Sequence, residues 1–189
     1  MKVTLPDVRI AFAHGLWTAK APKGSDKKAY SASFLFKEGS EAFKIMEAAM
    51  LAVAEEEWPG KGKAMVAALK AKDRTCLHDG ALKADEYDGY ADHWYVSARS
   101  KVRPTVKNRD KSNLTEDDNV IYSGCHVYAF IDVWPQDSKE FGKRINCNLR
   151  GVQFYRDGDA FGGGRAADDD EFEELGVPQG EEDPVDLLS

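Results

Sequence analysis

The sequence predicts a mainly β fold with inserted helices, an α+β chain whose antiparallel strands form a small barrel or sheet. Three observations support this prediction. Five or six short segments show the alternation of apolar and polar residues that is typical of strands. Two helical patterns lie together between the second and third strands. The 165 residues that precede a strongly acidic C-terminal segment fit one domain.

The first two strands are predicted near the N-terminus. Residues 3–13 form the first, because Val8, Ile10 and Phe12 alternate as one half-buried face should. The segment 16–28 contains Pro22, Gly24 and several lysines and is predicted to be a loop. The second strand begins near Tyr30 and places alternate residues on one side: Tyr30, Ala32, Phe34 and Phe36.

Two amphipathic helices follow. Ser40 is a suitable N-cap for the first, and Pro59-Gly60 ends it. Its apolar stripe consists of Phe43, Met46, Met50, Val53 and Ala54. The second, shorter helix has its apolar positions at Ala64, Met65, Ala68 and Leu69.

The remaining strands lie in the second half of the chain. Residues 94–100 form the third, and the segment 99–111 that leaves it holds six basic residues against the single acid Asp110. In the strand predicted over 120–134, one face consists of Cys125, Val127, Ala129, Ile131 and Val133, and Gly124 predicts a bend. Its partner, 144–154, turns Ile145, Cys147 and Leu149 inward and Arg144 and Arg150 outward. Asp157-Gly158 predicts a short hairpin that closes at Phe161.

The segment 166–189 differs from the rest of the chain in charge. It carries ten acidic residues and neither Lys nor Arg, so the net charge of −7 for the whole chain becomes +3 for residues 1–165. Such a segment, preceded by the glycines at 162–164, is predicted to be a disordered tail joined to a domain over 1–165. The acidic residues are Asp168, Asp169, Asp170, Glu171, Glu173, Glu174, Glu181, Glu182, Asp183 and Asp186.

Several classes of protein are disfavoured by the sequence. Asp7 and Arg9 interrupt the N-terminal apolar stretch, and no apolar run approaches the length of a membrane span, so we expect a soluble cytoplasmic protein. Three cysteines without a CxxC pair favour a reducing compartment and buried thiols. The chain lacks GxxxxGK[ST], HExxH and GxSxG, and its four histidines are scattered. We therefore predict no catalytic residue, metal site or cofactor.

Aromatic residues interleaved with Lys and Arg favour a single-stranded nucleic acid as ligand. Cations can follow the phosphate chain while exposed rings stack on bases. Trp17, Tyr30 and Tyr95 have basic neighbours and are expected to be exposed for stacking. Other rings are expected in the core: Phe34, Phe36, Phe43, Trp94 and Phe130. Two alternatives stay open, a metal-dependent nuclease that uses scattered carboxylates and an acidic structural or DNA-mimicking protein.

Four segments resemble a family of phage single-stranded DNA-binding proteins: KKAYSASFLF, YVSARSKVRP, YSGCHVYAFIDVW and GGGRA followed by an acidic tail. The resemblance implies an OB-like, five-stranded antiparallel barrel elaborated by helices, which binds single-stranded DNA without strong sequence preference. It implies roles in DNA replication, recombination and repair. It also implies that the tail contacts the protein's own groove and phage or host replication proteins such as a polymerase, helicase or nuclease. Homo-oligomers are compatible with the family.

The candidate DNA-binding residues have two sources. Nine of them match the resembling segments by position: Lys27, Lys28, Tyr30, Tyr95, Arg99, Lys101, Arg103, Tyr122 and Tyr128. The others are basic or aromatic residues of the loop 16–28 and the outward arginines of the strand 144–154. The full set is Trp17, Lys20, Lys23, Lys27, Lys28, Tyr30, Tyr95, Arg99, Lys101, Arg103, Tyr122, Tyr128, Arg144 and Arg150.

Overall fold

The computed structural model describes residues 1–162, which form one sheet and two α-helices. The strands are β1 (Lys2–Ala11), β2 (Tyr30–Phe36), β3 (Leu77–Asp79), β4 (Trp94–Ser100), β5 (Thr105–Lys107), β6 (His126–Ser138) and β7 (Gly142–Arg156). The helices are α1 (Glu41–Glu57) and α2 (Gly62–Ala71), and short 3-10 helices span Ala13–Leu16, Gly80–Lys83 and Glu116–Asp118. The mainly β fold with two helices between the second long strand and the next is thus confirmed.

The sheet has seven strands in the order β3-β4-β2-β1-β6-β7-β5, so the expected number of five is wrong. The two additional strands, β3 and β5, are three residues long, and such short segments show no alternation in the sequence. Most pairs are antiparallel, whereas β5 runs parallel to β7. A parallel bridge between Arg99 and Asn148 also joins β4 to β7, so the pairings pass in a cycle through β1, β2, β4, β7 and β6 and back to β1.

The main core lies between the inner face of the sheet and α1. The inner face of β6 and the residue just before this strand are completely buried: Cys125, Val127, Ala129, Ile131 and Val133. On β7, Ile145, Cys147 and Leu149 are also buried. The stripe of α1 packs against them through Met46, Met50 and Val53. Burial of each such side chain contributes about 1.5–3 kcal/mol. The predicted inward faces are therefore confirmed.

The start of α1 also agrees with the sequence. The Ser40 Oγ accepts a hydrogen bond from the Phe43 N–H at 3.3 Å, which satisfies one of the free amides of the first turn. Beyond the helix, Gly60 has a φ of +73° and turns the chain toward α2.

Phe12 does not belong to the inner face of β1. Val8 and Ile10 are completely buried as expected, but β1 ends at Ala11 and Phe12 takes a left-handed φ of +58°. This conformation starts the 3-10 helix Ala13–Leu16 and turns the Phe12 ring outward, where it is 44% exposed. The apolar alternation continued one residue beyond the strand.

A second, smaller cluster covers part of the outer face of the sheet. It joins Ala11 of β1, Leu35 of β2 and Tyr95 of β4 to Tyr90, whose side chain is completely buried. Tyr90 belongs to the connection between the short 3-10 helix Gly80–Lys83 and β4, and this connection folds back over the sheet. Consequently β2 is buried on both faces from Ala32 to Phe36.

The segment after β7 crosses the sheet instead of forming the predicted hairpin. The Phe161 N–H donates a hydrogen bond to the Ser123 carbonyl at 2.9 Å, so residues 157–161 lie across Gly124. Gly124 has a φ of +110°, and a Cβ at this position would collide with the Asp159 carbonyl oxygen. The bend predicted at Gly124 is present, and it is the glycine that allows the crossing.

No helix within residues 1–162 has the length and apolar character needed to cross a membrane. The predicted boundary at residue 165 and the acidic segment 166–189 lie outside the described residues.

We expect Gly124→Ala to destabilise the fold more than Gly39→Ala. Both glycines have positive φ, but a Cβ at Gly39 would have no atom within 4 Å. The left-handed conformation alone costs an L-residue about 1–2 kcal/mol, and overpacking adds about 1–3 kcal/mol at Gly124. Urea denaturation of the two variants measures the difference. Equal losses of the free energy of unfolding would contradict the proposed close crossing at Gly124.

Candidate nucleic-acid interface

An open basic groove of about 530 Å³ lies where the loop before β2 faces the end of β4. The residues that line this basic groove are Pro22, Ser25, Lys27, Lys28, Ala29, Arg99, Ser100, Lys101 and Asn148. Four of the candidate residues, Lys27, Lys28, Arg99 and Lys101, therefore come together. Their charged groups are exposed and can approach a ligand from solvent.

Backbone pairing holds the two sides of this groove in register. Tyr30 lies opposite Ser100 and Ser31 opposite Arg99 in the β2–β4 ladder. The loop that carries the lysines is closed by two hydrogen bonds of 3.0 Å between the backbones of Lys20 and Ala29. These pairings place Lys27 and Lys28 beside the last residues of β4, although about seventy residues separate them in sequence.

A second cavity, of about 440 Å³, lies farther along β7 beside Phe130. The Phe130 cavity is lined by Thr105, Lys107, Lys111, Phe130, Arg150, Gly151, Val152 and Gln153. The β6–β7 register shifts at this point, since Phe130 pairs with Gly151 and Ile131 with Leu149. Arg150 is therefore the extra residue of a β-bulge, a device that turns a side chain away from the regular ladder.

Gly151 brings the neighbouring strand close to this bulge. A Cβ at Gly151 would lie 2.7 Å from the Thr105 carbonyl oxygen, so a larger residue would separate β5 from β7. The parallel pairing of Thr105 with Gly151 positions Lys107, and the bridge from Lys107 to Asn113 closes the loop that contains Lys111. The Phe130 cavity thus combines one aromatic ring with three cations.

A third cavity, of about 360 Å³, continues the basic groove in the opposite direction along β7. Arg99 and Asn148 line both the basic groove and this Trp134 cavity, which also contains Trp134 and Arg144. Trp134 is 36% exposed and pairs with Asn146 across the ladder. The outward residues Arg144, Asn148 and Arg150 therefore connect three cavities along one strand, over a length of about 20 Å.

Asp132, an acidic residue on the outer face of β6, forms an ion pair. Asp132 lies between Phe130 and Trp134 on β6, and its Oδ1 is 2.9 Å from the Met1 ammonium group. The positive charge offsets the repulsion that Asp132 would otherwise exert on an anion at this face.

Five further candidates lie outside the lining of the basic groove. Trp17 is half-buried against the core, and the Arg103 guanidinium carbon lies 5.9 Å from its ring centroid. Tyr30 is half-buried at the start of β2. Lys20 and Lys23 are exposed on the same loop as Lys27 and Lys28 but do not line the basic groove.

Tyr95 is not the exposed ring that the sequence suggested. Its side chain is 6% exposed, and its ring stacks on His78 with centroids 5.1 Å apart and contacts Tyr90 edge-on. Burial raises the pKa of its hydroxyl. The alternation along β4 correctly places Tyr95 on the face opposite Val96, but the segment containing Tyr90 covers that part of the face.

Tyr122 and Tyr128 are not brought into the basic groove. The Tyr122 hydroxyl lies 2.9 Å from an Asp157 carboxylate oxygen and accepts a hydrogen bond from the Gly158 N–H at 3.1 Å, which holds the crossing segment. Tyr128 is half-buried on the outer face of β6, two residues from Phe130, and its ring packs edge-on against Tyr155 at 5.2 Å.

Several residues of this surface are absent from the candidates predicted from the sequence. Phe130, which the sequence predicts in the core, is only partly buried and lines a basic cavity. Trp134, Lys107 and Lys111 were not among the candidates. Their signals were available, since Phe130 and Trp134 occupy the outward positions of β6 and both lysines belong to the six basic residues of 99–111.

Residues 1–162 contain no group of three or more His, Cys, Asp or Glu side chains arranged to hold a metal ion. The three cysteines are free and buried, as predicted. Burial raises the pKa of the Cys125 thiol to about 11, so this thiol is protonated at neutral pH.

The fold is similar to that of solved phage proteins. The single-stranded DNA-binding protein of bacteriophage Enc34 in complex with ssDNA is 25% identical, with a TM-score of 0.67, over 84% of this chain and 88% of that protein. The single-stranded DNA-binding protein gp2.5 of bacteriophage T7 is 15% identical, with a TM-score of 0.55, over 95% of this chain and 99% of that protein. The second likeness concerns the fold alone.

Sequence comparison extends the similarity to almost the whole chain. The protein p50 of Acyrthosiphon pisum secondary endosymbiont phage 1 is 40% identical over 185 residues, which cover 96% of this chain and 98% of that protein. The family model described as the ssDNA-binding protein of Enterobacter phage Enc34 matches residues 1–184. The chain therefore belongs to this phage family of single-stranded DNA-binding proteins.

Proposed function

We propose that this protein binds single-stranded DNA along the outer side of β7, without strong sequence preference, during phage DNA replication or recombination. The observation that carries the proposal is the joining of the basic groove, the Phe130 cavity and the Trp134 cavity by outward residues of one strand. Family membership supports it, as does the likeness to a protein solved in complex with ssDNA.

Basic and aromatic side chains on this surface contribute to DNA binding in different ways. Lys27, Lys28, Arg99 and Lys101 attract phosphates and release their counterions, which gives affinity without base recognition. Phe130 and Trp134 offer ring faces at either side of the groove, and each stacked base contributes about 1–3 kcal/mol. Stacking accepts any base, so this arrangement favours single strands of any sequence.

The closed cycle of pairings supports an OB-like barrel as the scaffold of the site. In this proposal the cycle β1-β2-β4-β7-β6 forms the barrel wall of the seven-stranded sheet, and β3 and β5 are additions at its surface. OB-type barrels bind single-stranded nucleic acids on an outer strand face. The domain would then extend over 1–165 and the tail over 166–189.

The tail is proposed to compete with DNA for the cationic surface. Ten acidic residues follow a body with a net charge of +3, and a covalently tethered segment reaches a high local concentration near the groove. DNA binding would release the tail, which could then contact a polymerase, helicase or nuclease of the phage or host. This proposal rests on charge complementarity and on tethering.

We expect single-stranded oligonucleotides to bind at least about tenfold more tightly than duplexes of equal length, since one stacked base already accounts for that factor. Gel shift or fluorescence anisotropy, with and without magnesium, measures the preference. Equal duplex affinity contradicts the proposed function. Magnesium-dependent cleavage of the oligonucleotide identifies the nuclease alternative, and absence of binding to either form favours the DNA-mimic alternative.

Replacing Arg99 or Lys101 by Ala should weaken DNA binding and reduce its salt dependence. Each lost phosphate contact lowers the slope of log K against log salt by roughly 0.7 for a single strand. Titrations at four salt concentrations give the slopes.

Two matched variants separate the loss of a phosphate contact from a general change of surface charge and from the loss of stacking. Lys44→Ala removes an exposed lysine from α1, outside the three cavities, and should leave the slope unchanged. Phe130→Ala should weaken binding by about 1–3 kcal/mol at an unchanged slope, because it removes stacking and no charge. If the Arg99 and Lys101 variants keep the wild-type slope, the phosphates follow another path.

Truncation after Arg165 should tighten DNA binding at low salt and steepen its salt dependence. The truncation changes the net charge from −7 to +3 and removes the tethered competitor. The affinity of full-length and truncated protein should converge as salt rises. As a control, a free peptide of residues 166–189 should inhibit the truncated protein and shift resonances of the basic groove. A peptide that does neither at millimolar concentration contradicts groove occupancy by the tail.

A further inference from the structure

A fourth cavity, of about 250 Å³, differs in chemistry from the three along β7. Four aromatic residues form its walls, Phe12, Tyr87, Tyr90 and Phe161, and the acidic residues Glu86 and Asp88 belong to its lining. Among residues 1–162, no Lys or Arg lines it. We call it the aromatic-acidic cavity.

Two of its rings are exposed and in contact with each other. Phe12 and Tyr87 are 44% and 41% exposed, and their rings meet edge to face with centroids 5.1 Å apart. The left-handed φ of +58° at Phe12 directs this ring away from the core. Such a conformation is costly for a bulky residue and is commonly retained at functional sites.

Charge makes the cavity unsuitable for DNA and suitable for a cation. The segment 84–92 carries Asp85, Glu86, Asp88 and Asp92 and no basic residue, so it repels phosphates. Aromatic ring faces attract cations, and nearby carboxylates strengthen that attraction. Rings of this part of the chain already make cation–π contacts with the protein's own side chains. The Arg9 guanidinium carbon lies 4.2 Å from the Phe161 ring centroid, and the Lys83 ammonium nitrogen lies 4.9 Å from the Tyr95 ring centroid.

We propose that the aromatic-acidic cavity is a docking site for a lysine or arginine side chain presented by a partner protein. The cation would lie against the exposed faces of Phe12 and Tyr87, with the Glu86 carboxylate as counter-ion. Asp88 also holds the wall in place, because its Oδ2 accepts a hydrogen bond from the Gly162 N–H at 3.0 Å. This site is separate from the proposed DNA surface, so both could be occupied together.

The test uses the full-length protein and three blocked tripeptides in NMR titrations. Acetyl-Gly-Arg-Gly-amide and its lysine analogue should shift resonances of Phe12, Glu86 and Tyr87. The citrulline analogue, which has nearly the shape of arginine without its charge, should not shift them at the same concentration. Equal shifts with citrulline, or no shifts at 50 mM arginine peptide, overturn the proposal.

Variants locate the interaction and separate it from DNA binding. Tyr87→Ala and Glu86→Gln should each raise the Kd of the arginine peptide about fivefold, the factor that corresponds to about 1 kcal/mol for a cation–π contact. Both residues are exposed, and both variants should retain wild-type affinity for single-stranded DNA. Lys44→Ala is the surface control and should leave both affinities unchanged. An unchanged peptide Kd in both cavity variants overturns the assignment.

Two other occupants of the aromatic-acidic cavity would give different results. Either result would contradict the proposal of a partner protein. Occupation by the chain's own Arg165 predicts that Arg165→Gln shifts the same resonances without peptide and increases peptide affinity. Occupation by a second copy predicts that these resonances move on dilution of the protein alone. The proposed partner requires neither change.

Discussion

The antiparallel pairing of β6 with β7 is the interaction on which the rest of the structure depends. Thirteen pairs of residues join these strands, from Ser138 with Gly142 to His126 with Arg156. The inner face of the ladder supplies much of the main core, and the outer face carries Phe130, Trp134, Arg144 and Arg150. Any shift in register by one residue would exchange these two faces, so core packing and the proposed DNA surface are specified together.

The bulge in this ladder links architecture to ligand chemistry. Strict alternation would place Val152 on the outward face with Arg144, Asn148 and Arg150, whereas the bulge adds one residue at Arg150 and turns Val152 into the core. Gly151 then permits β5 to approach, and β5 brings Lys107 to the same cavity. A three-residue strand and one glycine thus convert the outer face of a hairpin into a site with several cations.

The sequence predicted the parts of the fold that depend on local periodicity. The inward faces of β6 and β7, the Ser40 cap and the stripe of α1 follow from spacings of two or of three to four residues, and the structure agrees. Local periodicity does not predict the burial of Tyr95, because this burial depends on a separate segment that folds over the sheet. The strands β3 and β5 and the bulge at Arg150 likewise arise from pairing between distant residues.

For the interface too, local sequence predicts the basic residues, whereas the exposure of aromatic residues depends on distant parts of the chain. Lys27, Lys28, Arg99 and Lys101 were recognised from composition, and the β2–β4 register brings them together. Phe130 was assigned to the core because every ring on a strand is a reasonable core residue when its neighbours are unknown. Distinguishing it from Phe34, which is completely buried, required knowledge of which face the helices cover.

The covering of Tyr95 by the segment 80–93 also gives the outer face of β4 an electric asymmetry. Four residues beyond Tyr95, at about 13 Å along the strand, Arg99 begins the basic groove, while Asp85, Glu86, Asp88 and Asp92 lie in the covering segment. Separated charges of this kind form a dipole that orients a protein as it approaches a polyanion. Because a polyanion is attracted to the basic groove and repelled by the acidic segment, the protein would approach a single strand with the groove end of β4 first.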